Sequence, residues 1–229
     1  MFVEPKPIIA NNDWFLKELY AFTEDMGITS LSANYSRYVI DLNRILTDPI
    51  IGDDYNKYTI YSKTTWKKDL YKKMPNESEC KKRIEKYYIP YHNKLKELVN
   101  NKLRKFGYAI ILDLHSGYSS TGEKDICLGD GKGTTSNKEI VTELKKSLED
   151  SGYTINLNTP CTGGKILRQY HKENPQINCI LFELNYKKYI KDQYSGEEEI
   201  KEYDINLFND AQKRLKKAMN NFLFKYEKI

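Results

Sequence analysis

Tyr108-Ala109-Ile110-Ile111-Leu112-Asp113-Leu114-His115-Ser116-Gly117 passes from an apolar run into small polar residues. A short run of this kind, rich in β-branched side chains and closed by glycine, reads as a buried strand. Side chains alternate along a strand, so Asp113 and His115 share a face two residues apart at its carboxyl end. Two ligand-type side chains at a strand mouth suit a hydrolytic metal site. Catalytic zinc takes about three protein ligands plus an open water position, and nothing near His115 in sequence supplies the rest. A histidine hydrogen-bonded at a strand end therefore stands beside the metal reading.

Working outward, Asn11 or Asn12 can cap a helix reaching Met26, with Phe15, Leu19, Phe22 and Met26 on one face and Gly27 as its stop. Ile28 to Asn34 reads as a strand, and Tyr35 to Asn43 as extended or turning chain before a polar loop. Ser78 to Lys105 is helical in pattern, with Pro90 set to break or kink it. After the strand 108–114 come a glycine-rich loop, Gly117 to Gly133, and a helix opened by the capping box Ser136-x-x-Glu139. A strand from Tyr153 to Asn158, a short helix or turn through His171, a strand from Ile177 to Leu184 and an amphipathic helix from Asp204 to Lys225 complete the order. Strands alternating with helices predict an α/β fold, three-layered, with a central mixed but mostly parallel sheet.

The 229 residues, 39% hydrophobic and 30% charged, are enough for one large core, and no Ser, Gly or Pro-rich linker divides them. A single domain over 1–229 is expected. The net charge of +5 comes from 37 Lys and Arg against 32 Asp and Glu, interspersed without a long basic stripe, so no nucleic-acid partner is expected. Four cysteines without a CxxC pair, and no apolar stretch of signal or membrane-spanning length, predict a cytoplasmic protein without a membrane partner. Leu128-Gly129-Asp130-Gly131-Lys132-Gly133 lacks the spacing of a phosphate loop. Cys127 has no histidine placed near it to make it a nucleophile. His92 reads as a packed histidine, and His171 carries no metal role.

Three further segments suit chemistry. Ser36-Arg37-Tyr38-Val39-Ile40-Asp41-Leu42-Asn43-Arg44 sets two arginines and an asparagine around a short apolar stretch. Guanidinium forks recognise carboxylates at two points, which points to a small acidic substrate. The alternative is a structural salt bridge between Arg44 and Asp41. Glu183 interrupts Cys179-Ile180-Leu181-Phe182-Glu183-Leu184, where burial would raise its pKa toward that of a general base, unless it is bonded to a core arginine. Gly163 and Gly164, followed by Arg168, read as a loop whose backbone approaches a ligand closely.

Taken in order, Asn12-Asp13-Trp14, the Ser36 to Arg44 segment, Tyr91-His92, Asp113-Leu114-His115-Ser116, Leu128-Gly129-Asp130, Asn158 to Gly164 and Glu183 resemble the N-formylglutamate amidohydrolase family. The resemblance implies a zinc carboxypeptidase-like fold and a zinc-dependent cleavage of N-formyl-L-glutamate, or a related N-acyl acidic amino acid, at its amide C–N bond. It implies that His115 and Asp13 are zinc ligands, that Glu183 is the catalytic base, and that Arg37, Asn43 and Arg44 hold substrate carboxylates. Gly163, Gly164 and Arg168 match a ligand-facing loop. Family members open with a strand and Pro-His-Ser-Gly, whose histidine is a further expected ligand. No such segment stands before His92, so a domain lacking its first strand and one ligand is expected. A non-catalytic member that binds carboxylate ligands is the alternative.

Overall fold

Ala109–Gly117 and Ile177–Asn185, the two longest strands among the described residues, pair in parallel over nine residues each in a computed structural model describing residues 2–3, 12–118, 121–191 and 199–225. The chain forms two compact units, one built mainly on Leu31–Asn101 and the other on Asp13–Ser30, Lys102–Ser195 and Ile200–Ile229.

In the first unit, β1 (Ile51–Gly52) and β2 (Ile60–Tyr61) make a short parallel pair. Around it sit two small cores, one of Tyr38, Tyr61, Leu70 and Tyr71, the other of Ile40, Ile60, Cys80 and Tyr88. The helical pattern from Ser78 resolves into α3 (Glu77–Arg83), a π-helical turn at Ile84–Tyr88, and α4 (Ile89–Phe106). Asn76 caps α3, its side chain accepting from the Glu79 N–H while the Glu79 carboxylate accepts from the Asn76 N–H, both at 2.9 Å. Pro90 cannot donate to the Lys86 carbonyl, and the helix widens just before it instead of breaking.

In the second unit, the expected helix from Asn12 to Met26 is two single turns, Leu16–Leu19 (α1) and Phe22–Asp25 (α2), because Phe15 sits left-handed at φ 56 and Tyr20 leaves helical torsions. Asn11 lies outside the described residues. Gly27 ends the segment at φ 67, as expected, but Ile28 to Asn34 joins no ladder.

The sheet runs β3-β6-β4-β5, where β3 is Ala109–Gly117, β4 Ile126–Gly129, β5 Ile155–Leu157 and β6 Ile177–Asn185. It is mixed: β3 with β6 and β4 with β5 are parallel, β4 with β6 antiparallel. β4 lies inside the stretch expected to be only a glycine-rich loop, its four residues all buried.

On one face Ile126, Leu128, Ile180, Phe182 and Leu184 meet α5 (Lys138–Glu149) and α7 (Ile205–Phe224) in a single apolar cluster. Phe208, Ala211, Leu215, Met219 and Phe222 give α7 its inner stripe at helical spacing. Alternation along β6 turns Cys179, Leu181 and Glu183 to the other face, where α6 (Lys165–Tyr170) packs on β6 and β3. The expected capping box at Ser136 does not form. Asn178 Oδ1 instead accepts from the Asn137 N–H at 2.7 Å and from Ser136 Oγ at 3.3 Å, tying the start of α5 to β6. No described helix is long and apolar enough to cross a membrane.

This packing sets a contrast for stability. Leu144, fully buried in α5, should lose about 2–5 kcal/mol on replacement by Ala. Ile205, 56% exposed at the start of α7, should lose less than about 1 kcal/mol in the same denaturant titration.

Candidate active site

The register of the sheet builds one row of side chains. His115 of β3 is opposite Glu183 of β6, Glu183 is opposite Cys127 of β4, and Cys127 is opposite Asn156 of β5. Residues paired in register on neighbouring strands project to the same face about 5 Å apart. Asp113 lies two residues before His115 on that face. β3 runs on to Gly117, so both side chains belong to the strand and not to a loop beyond its end.

Both ring nitrogens of His115 meet carboxylates: Nδ1 is 3.1 Å from Asp13 Oδ2 and Nε2 is 3.1 Å from Asp113 Oδ1. Burial pulls the imidazole pKa down, but Asp113 and Asp13 outweigh it by charge and hydrogen bonding and hold it well above the ordinary histidine value. His115 is thus clamped between two carboxylate side chains. Asp13 reaches the strand because its Oδ1 accepts from the Ser116 N–H at 2.7 Å. Tyr189 locks the same junction, its hydroxyl lying 2.9 Å from the Trp14 carbonyl and 2.8 Å from Ser116 Oγ.

The loop after β5 closes over this row. Cys127 Sγ donates to the Thr159 carbonyl at 3.2 Å, and Gly129 lets the Thr162 backbone approach so closely that a Cβ there would stand 2.8 Å from it. Asn158, left-handed at φ 57, clamps the glycine-rich turn: its Nδ2 donates to Asp130 Oδ1 at 2.7 Å, and its Oδ1 accepts the Asp130 and Lys132 N–H groups. Gly163, at φ +117, and Gly164 lead into α6, and Arg168, exposed, turns Nη2 back to the Gly163 carbonyl at 3.4 Å. Cys161 belongs to the same cluster. Burial, then Glu183 and Cys127, push its thiol up to about 12 against the pull of His115. Such thiols are poor nucleophiles, in keeping with the sequence reading of Cys127.

The arginine segment is ordered separately, within the other unit. Arg37 grips Asp41 Oδ2 through Nε at 3.1 Å and Nη2 at 2.7 Å, and the Tyr61 hydroxyl donates to the same carboxylate. Asp41 therefore takes Arg37 as its salt-bridge partner, not Arg44. Burial pushes the Asp41 carboxyl up, but Arg37, Arg44 and the Tyr61 bond prevail and hold it below the usual aspartate value. Arg44 donates through Nε to the Tyr55 carbonyl at 2.7 Å and through Nη1 to the Asn43 carbonyl at 3.0 Å. Asn43 follows Asp41 in a tight turn, its N–H donating to Asp41 Oδ1 at 2.8 Å.

Asp13, His115 and Glu183 are thus drawn into one cluster with Asp113, Cys127 and Cys161, and Arg37, Asn43 and Arg44 into one loop. The second carboxylate on His115 was visible in sequence as its strand partner. Cys127 and Cys161 gave no sequence signal, since only pairing with β6 and closure of the loop place them. Asp13 and His115 offer two donors of the three that catalytic zinc takes from its protein. Among the described residues no group of three His, Cys, Asp or Glu is placed to hold a metal ion. On the described residues, then, the site does not fit a catalytic zinc.

A family model described as N-formylglutamate amidohydrolase matches residues 3–190. N-formylglutamate deformylase of Pseudomonas putida is 30% identical over 205 residues, covering 83% of this chain and 74% of the relative. The Pseudomonas aeruginosa deformylase is 29% identical over 203 residues, covering 83% and 75%. Among solved structures, an N-formylglutamate amidohydrolase from Ralstonia eutropha JMP134 superposes with a TM-score of 0.79 at 24% identity, over 95% of this chain and 84% of that one. A gene product from Agrobacterium tumefaciens gives 0.67 at 16% identity, over 96% and 80%. These two likenesses carry the fold.

The Arg37–Asp41 pair has a pH signature. Because the folded carboxyl is held below its unfolded value of about 4, its stabilisation is fully present above about pH 4 and fades as pH falls through the lowered folded value. Asp41→Asn should cost about 3 kcal/mol at neutral pH, and the gap to the unsubstituted protein should narrow in urea titrations below about pH 4.

Proposed function

The chain belongs to the N-formylglutamate amidohydrolase family, and from that premise we propose that it hydrolyses the linear amide C–N bond of an N-formylated acidic amino acid, N-formyl-L-glutamate foremost, to formate and the free amino acid. The observation that carries the proposal is the register pairing of Glu183 with His115, which sets a carboxylate beside a fixed imidazole on one face of the sheet. Glu183 takes the proton of the attacking water and passes it to the departing amine, which is the task general acid-base catalysis asks of one carboxylate. Asp113 and Asp13 hold the imidazole of His115 in place beside it. Arg44, whose Nη2 has no protein partner among the described residues, and Asn43 recognise a substrate carboxylate, with Arg37 holding their loop through Asp41. Gly163, Gly164 and Arg168 line the reacting face as the ligand-facing loop.

The proposal extends to a zinc carboxypeptidase-like architecture; zinc enters it from the family resemblance alone, since Asp13 and His115 are two donors where a catalytic zinc takes about three. Free cysteines at Cys80, Cys127, Cys161 and Cys179 suit the reducing cytoplasm it assigns to the protein. A second reading, binding of acidic ligands without turnover, is favoured by the two-donor set at His115.

Formate release from N-formyl-L-glutamate separates them. Turnover should fall roughly 10²- to 10⁴-fold in Glu183→Gln while calorimetric binding of substrate persists. Arg44→Ala should weaken that binding roughly 10- to 100-fold. Turnover that survives chelation is what the two-donor set predicts, and loss on chelation with recovery on added zinc would show a donor beyond Asp13 and His115. A folded protein that binds N-formyl-L-glutamate, yet releases no formate with zinc present, is the binding module.

A further inference from the structure

The loop that carries Asn43 and Arg44 has no helix or strand to fix its torsions, yet four successive carbonyls in it each accept a side-chain hydrogen bond. Leu42 O is 3.0 Å from His92 Nε2, Asn43 O is 3.0 Å from Arg44 Nη1, Arg44 O is 2.7 Å from the Tyr88 hydroxyl, and Ile45 O is 2.9 Å from Thr59 Oγ1. A carbonyl only accepts, so His92 carries its hydrogen on Nε2 and Tyr88 donates.

Two of the four anchors come from one rigid element. Tyr88 closes the π-helical turn and His92 stands in the first turn of α4, four residues on, so both side chains fall on one helical face. Their rings pack with centroids 4.4 Å apart, and Tyr88 is buried. The grip brackets the Asn43-Arg44 pair, holding the peptide before Asn43 and the peptide after Arg44. Arg44 completes it internally by bonding the carbonyl of its own neighbour, which leaves the direction of its guanidinium set by backbone that Tyr88 and His92 hold. Packing does not demand a donor at either position, since Phe and Leu would fill similar space.

We propose that Tyr88 and His92 are positioning residues for ligand recognition, acting through Asn43 and Arg44 by fixing the carbonyls on either side of them. This rests on the assignment of Arg44 to carboxylate binding made under Proposed function. The widened turn before Pro90 then has a use: it sets the rotation at which Tyr88 and His92 present their donors to one loop.

The test measures Kd for N-formyl-L-glutamate by calorimetry, and KM and kcat by formate release, with circular dichroism melts as the check on folding. Tyr88→Phe and His92→Leu should each raise Kd and KM roughly 5- to 50-fold, the loss falling on KM and not on kcat. His92→Gln, which keeps an N–H donor, should recover most of it. In an Asn43→Ala/Arg44→Ala background Tyr88→Phe should change Kd by less than about 2-fold, because both residues it acts through are gone. If Tyr88→Phe weakens binding by the same factor in both backgrounds, or not at all, the positioning role is overturned while carboxylate binding by Arg44 stands. If Arg44→Ala itself leaves Kd unchanged, the assignment of Arg44 fails and the positioning role falls with it. Should Tyr88→Phe not fold, His92→Leu against His92→Gln carries the same comparison, and equal Kd values for those two overturn it.

Discussion

Nine parallel register pairs between β3 and β6 decide where the chemistry can sit. A slip of one residue would turn Glu183 into the apolar cluster under α5 and α7 and bring Phe182 or Leu184 to the opposite face. The register is held at both margins: Phe182 and Leu184 are fully buried on one side, and Tyr189 and Asp13 pin the end of β3 on the other. Through that register His115, Glu183 and Cys127 form a row, and the row gives the loop after β5 something to close over. An acidic side chain in an apolar strand is costly to bury without a partner, so a polar ring one strand away is what such a position asks for.

Much of this was legible in the chain. Ile177 to Leu184 announced itself by length and composition, Gly27 by its place after an apolar stripe, and Asp204 by its position before an amphipathic run. The features that escaped were those fixed from outside their own segment. β4 is four residues in a glycine-rich stretch and exists because β6 and β5 pair with it on either side. The Ser136 capping box lost to Asn178, a residue 41 positions from Asn137, which accepts from the Ser136 hydroxyl and the Asn137 N–H from β6. The helix from Asn12 failed at Phe15, whose left-handed torsion no local rule favours.

The candidate site divides the same way. Pairing of Asp113 with His115 followed from strand alternation, and the arginine segment from its odd density of guanidinium groups. Which arginine would meet Asp41 did not follow. Spacing permits either, and the Tyr61 hydroxyl, 20 residues away, joins the carboxylate on the side where Arg37 already lies. That assignment leaves Arg44 to bond the Tyr55 and Asn43 carbonyls with Nε and Nη1. Electrostatic order thus stands at two places, an imidazole between two carboxylates on the sheet and a carboxylate between an arginine and a tyrosine on the loop.

The central claim is that water, with Glu183 as its proton acceptor, cleaves the bond between a formyl carbon and an amine. Mass spectrometry of the products formed from N-formyl-L-glutamate in oxygen-18 water tests it most directly. One labelled oxygen in formate and none in glutamate is the expected result. Folded protein that releases no formate above the spontaneous rate, or formate without the label, would contradict it.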